Sequence, residues 1–71
     1  MSMNLHFKLG QHYIPFPYQT STTLTYAVMD AGSREAQLSL LKVDCDEREI
    51  PHCYDSIVDT MSDPAVTLEY M

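Results

Sequence analysis

Seventy-one residues are enough for one small α+β domain spanning 1–71 and no more. At that size apolar burial and chain entropy nearly cancel, so stability is expected to be modest or helped by self-association. Ten acids against four bases give a formal charge of −6, which argues against nucleic acid or an anionic membrane surface as a partner. No apolar run reaches the ~18 residues of a membrane span, and MSMNLHFKLG lacks an apolar signal core, so the chain reads as cytoplasmic.

Taken in order, residues 3–9 alternate Met3, Leu5, Phe7 and Leu9 with Asn4, His6 and Lys8, the period of a half-buried strand that Gly10 ends. Residues 11–21, QHYIPFPYQTS, carry Pro15 and Pro17, which cannot donate to a ladder, so an extended loop or edge strand is expected. Ile14, Phe16 and Tyr18 share a period of two there. They read either as a lid over the core or, with Tyr13, as aromatic side chains offered to a partner.

The stretch 22–43 admits two readings. A hairpin looped at Ala31, Gly32 and Ser33 pairs Val28 with Ala36, Tyr26 with Leu38 and Leu24 with Leu40, which places apolar side chains together on one face. Against it, a three-residue hairpin loop prefers glycine third, and Gly32 is second. The rival is a helix over 33–43 capped by Asp30 or Ser33. On a helical wheel, however, Ala36, Leu40 and Val43 fall on one side and Leu38, Leu41 and Cys45 on the other, whereas a surface helix should have one apolar stripe. The hairpin is therefore preferred.

An acidic surface loop, DCDEREI, is expected next. Pro51 suits the first position of a helix over 51–62, with Tyr54, Ile57, Val58 and Met61 on one stripe. Residues 65–70 read as a last strand. The expected fold is α+β: a small antiparallel sheet of about four strands (3–9, 22–30, 34–43 and 65–70) with one helix (51–62) packed across it. Its core would hold Leu5, Phe7, Leu24, Tyr26, Val28, Leu38, Leu40, Tyr54, Ile57, Val58, Met61, Val66 and Leu68.

The residues that could carry chemistry are few. Cys45, His52 and Cys53 are the only metal candidates, but without CxxC or HxxxH spacing no metal or cofactor is expected. Two cysteines are too few for a disulfide framework and read as reduced thiols. Cys53 near a helix N-terminus, beside His52, has neither an oxyanion hole nor an orienting group, so no enzyme is expected. Asp55, Asp59 and Asp63, spaced by four, would line one helix face, either as a solvated row or as a contact for a basic partner. The expectation is a non-enzymatic acidic module that binds another protein, in its sharper form a small inhibitor or modulator, through Asp55, Asp59, Asp63, Tyr13, Phe16 and Tyr18. The alternatives are an assembly subunit acting as a homodimer or larger oligomer and, third, a metal or redox module.

Overall fold

The computed structural model describes residues 4–71. Two strands, β1 (Leu5–Leu9) and β2 (His12–Pro15), are followed by three helices, α1 (Thr22–Met29), α2 (Arg34–Arg48) and α3 (Cys53–Met61), and by a last strand, β3 (Thr67–Tyr70). The class is α+β, with three antiparallel strands in the order β2-β1-β3 and three helices rather than one. Both of the expected strands 22–30 and 34–43 are helices.

Local capping explains that correction. Ser21 precedes α1 and its side chain accepts from Leu24 N at 3.1 Å; Ser33 precedes α2 and accepts from Ala36 N at 3.1 Å. Each cap satisfies an amide that a helix start would leave orphaned. Ala31, Gly32 and Ser33 link two helices, with Gly32 at φ +83°, in place of a hairpin loop. Of the acidic stretch expected as a loop, Asp44–Arg48 is the end of α2, and only Glu49 and Ile50 lie beyond it.

In the sheet, Phe7 is opposite Ile14 on one side and Leu68 on the other, and Leu5 is opposite Tyr70. Leu5, Phe7 and Leu68 are buried, while the alternate residues His6, Lys8 and Tyr13 are half-buried or exposed, as a period of two requires. β2 is an edge strand, and its Pro15 stands where no ladder donor is needed. Residue 3, expected to begin β1, lies outside the described residues.

The core joins Leu5, Phe7, Val28, Ile57, Met61, Val66 and Leu68 to Leu41, Cys45 and Cys53, with Ile14, Phe16, Tyr18, Leu24, Leu38 and Tyr54 packed at its margin. Tyr26, Leu40 and Val58, expected inside, are exposed. The first two belonged to the hairpin register. Buried hydroxyls add a relay: Leu5 N donates to Thr20 Oγ1 at 3.1 Å, Thr20 Oγ1 lies 2.8 Å from Thr25 Oγ1, and Thr25 Oγ1 donates to Ser21 O at 2.9 Å. One hydroxyl proton per threonine serves this chain, which ties β1 to the start of α1.

Cys45 and Cys53 form a disulfide with Cα atoms 5.8 Å apart, which corrects the expectation of reduced thiols. Glu49 at φ 54° and His52 at φ 61° turn the chain sharply after α2, so that α3 starts beside the helix it left. α3 therefore begins at Cys53, and Pro51 lies in the turn before it, not at its first position. With a sequence separation of eight, the closed loop is worth about 2.5 kcal/mol by the chain-entropy relation. Cys45→Ser with Cys53→Ser is accordingly expected to lower the urea midpoint by that equivalent. A midpoint unmoved both by the double substitution and by dithiothreitol would show that the crosslink contributes nothing.

Candidate functional site

The acids concentrate on α2, the turn after it, and α3. Asp44, Asp46 and Glu47 belong to the last part of α2, Glu49 is its left-handed cap, and Asp55 and Asp59 are exposed on α3. Asp63 lies beyond the helix, whose C-cap is Ser62. The expected row of three therefore shortens to Asp55 and Asp59. Asp63 Oδ1 instead accepts from Ala65 N at 2.9 Å and holds the turn into β3.

Electrostatically these acids differ. Arg48 Nε donates to Asp44 Oδ2 at 2.7 Å, and Lys42 Nζ donates to Asp46 Oδ2 at 3.2 Å. Both pairs are one helical turn apart; Lys42–Asp46 is exposed and contributes little, whereas Asp44 is half-buried. Asp55 is in the first turn of α3, where negative charge suits the helix dipole, and its Oδ2 is 3.9 Å from His52 Nδ1. Asp59 stands near the opposite end, where the dipole disfavours it, and the last turn of α3 carries no base.

The aromatic candidates divide. Tyr13 is exposed, with Lys8 Nζ 5.6 Å from its ring centroid and His6 edge-on at 6.3 Å. Phe16 packs against Phe7 at 5.0 Å and Tyr18 at 5.4 Å, and both Phe16 and Tyr18 are packed against the core. Arg48 stacks on the Tyr18 ring at 4.6 Å. Burial, and then the neighbouring Asp44, raise the Tyr18 pKa well above the usual phenol range, so the hydroxyl stays protonated. The bond to Asp44 likewise raises the pKa of Arg48. Tyr18, Asp44 and Arg48 thus form one cluster that pins the segment after β2 to the end of α2. The structure does not bring Tyr13, Phe16 and Tyr18 together with Asp55 and Asp59 as one exposed surface.

For a metal or a reaction the residues offer little. Among the described residues no group of three or more His, Cys, Asp or Glu side chains is placed to hold an ion. Cys45 and Cys53 are bonded to one another and buried, and His52 is exposed beside them. A concavity of about 210 Å³ lies over this elbow, lined by Lys42, Asp46, His52, Tyr54 and Asp55 among others. It is smaller than the ~300 Å³ at which small-molecule pockets begin.

The feature that sequence reasoning undervalued is the outer side of α2. Its inner side packs Leu38, Leu41 and Cys45 on the core, while Leu40 (37% exposed) and Val43 (59%) face away from it, with half-buried Ala36 one turn before. The two-sided wheel that argued against a helix was itself the mark of this arrangement. Among the described residues no helix is long and apolar enough to cross a membrane. Compared with protein-family models, curated proteins and solved structures, the chain gives no match.

Proposed function

We infer that the protein is a non-enzymatic acidic interaction module that binds a basic surface of another protein, as a small inhibitor or modulator. One observation carries this reading: its four bases are already engaged within the chain. Lys42 and Arg48 hold Asp46 and Asp44, Arg34 donates to the carbonyls of Met61 and Val66, and Lys8 lies over Tyr13. Among the described residues Glu47, Glu49 and Asp59 consequently have no basic partner, and their field is directed at whatever approaches α2 and α3. Acidic surfaces of this kind raise association rates and select basic partners more than they add affinity.

The test is capture from host lysate at low and then high salt, with the bound masses read by mass spectrometry and the capture repeated with Asp55→Lys and Asp59→Lys together. A basic protein released by salt and lost with the double substitution is the expected outcome. Retention of the same protein, with the same salt dependence, by the substituted chain would show that the α3 acids are only a solvated face.

A further inference from the structure

We propose that the outer face of α2, built on Ala36, Leu40 and Val43, is a docking stripe for a basic amphipathic helix of the partner; this rests on the acidic-module reading above. The three residues are spaced i, i+4 and i+7, so they form one continuous line along the helix. Core packing does not account for the exposure of Leu40 and Val43. The core is filled from the opposite side of α2, by Leu38, Leu41 and Cys45. Val43 is also β-branched, a mildly unfavourable type at an exposed helical position where lysine or glutamate would serve better.

Charge chooses the occupant. Glu47 continues the line one turn beyond Val43, and by helical geometry Asp46 and Glu35 flank it on one side and Asp44 on the other. Among the described residues no free base borders it: Lys42 is held by Asp46 and lies 5.3 Å from the Tyr54 ring centroid, and Arg48 is held by Asp44. A second copy seated here would bring acid to acid between two chains of charge −6. A helix with an apolar ridge flanked by lysine or arginine would instead place Leu-type anchors on Leu40 and Val43 and cations against Glu35 and Glu47. This is helix-against-helix recognition with an acidic rim.

The experiment titrates the ¹⁵N-labelled full chain with three probes: an amphipathic helical peptide of leucine and lysine, a scrambled peptide of the same composition, and oligolysine. The expected result is that the amphipathic peptide binds at least about tenfold more tightly than the other two. Amide shifts should centre on Ala36, Leu40 and Val43. Leu40→Gln with Val43→Gln should erase the advantage and leave oligolysine binding unchanged. Both positions are exposed, so the double variant is expected to keep the parent melting curve. Equal affinity for the amphipathic and scrambled peptides, or shifts confined to α3, overturns the docking stripe and leaves the acidic-module reading standing. Absence of low-salt binding to all three probes overturns that reading and the stripe with it. A dimer in sedimentation that Leu40→Gln with Val43→Gln dissolves also overturns the proposal, because a second copy then covers the face.

Discussion

Leu41→Asp is expected to unfold the chain at room temperature, whereas Leu40→Asp is expected to shift its urea midpoint by the equivalent of no more than about 0.5 kcal/mol. Leu41 is fully buried on the inner side of α2, and Leu40 is 37% exposed on the outer side. A carboxylate at position 41 would have no cation to meet inside the core, and stranding a charge there costs several kcal/mol. A domain of this length has only roughly 4–10 kcal/mol of stability in total. The pair also decides between the two readings of 22–43. In the hairpin register Leu40 faces Leu24 in the core and Leu41 lies on the other face, so the hairpin demands the opposite ranking. Far-UV circular dichroism and urea titration of the two variants measure it. A folded Leu41→Asp beside an unfolded Leu40→Asp would reject the helix.

That contrast also marks where the sequence was legible. β1 and β3 were readable because a sheet with one buried face writes its pattern directly: Leu5 and Phe7 in, His6 and Lys8 out. Pro15 kept 11–21 from reading as a central strand but left loop and edge strand open, and the expected sheet did not include β2; α3 followed from the stripe of Ile57 and Met61. α2 was misread because its apolar residues lie on two sides, and a pattern test that assumes one buried face rejects any helix with apolar residues on both. The N-cap serines, Ser21 and Ser33, held the better information, since a cap acts locally and does not depend on what the helix later packs against. The disulfide was missed because a count of two cysteines was read as reduced thiols. Cys45 and Cys53 approach only when α2 runs to Arg48 and two left-handed residues fold the chain back. Of the expected partner-binding residues, Asp55 and Asp59 stand where the spacing put them, while Asp63 was misplaced because the helix stops before it.

Arg34→Met is expected to cost about 3 kcal/mol, an effect no sequence pattern foretells. Arg34 Nη1 donates to Met61 O at 2.9 Å and Nη2 to Val66 O at 2.5 Å, so one guanidinium from the first turn of α2 holds the end of α3 and the approach to β3. Hydrogen bonds to a charged group are worth roughly 1.5–3 kcal/mol each, and methionine would leave both carbonyls without their donor while keeping most of the volume. Arg34→Lys should recover only part of the loss, because a single ammonium cannot span two carbonyls as the planar fork does. Urea denaturation of the three chains checks the order: parent, then lysine, then methionine. A methionine variant within about 0.5 kcal/mol of the parent would show that water replaces the guanidinium without loss. The contact matters for the candidate site as well. The last turn of α3 has no base of its own and carries Asp59, so the positive charge that its carbonyl end requires arrives from α2 through Arg34. Removing it should loosen the part of the molecule that carries Asp55 and Asp59, and on the acidic-module proposal salt-sensitive capture of a basic partner should weaken together with stability.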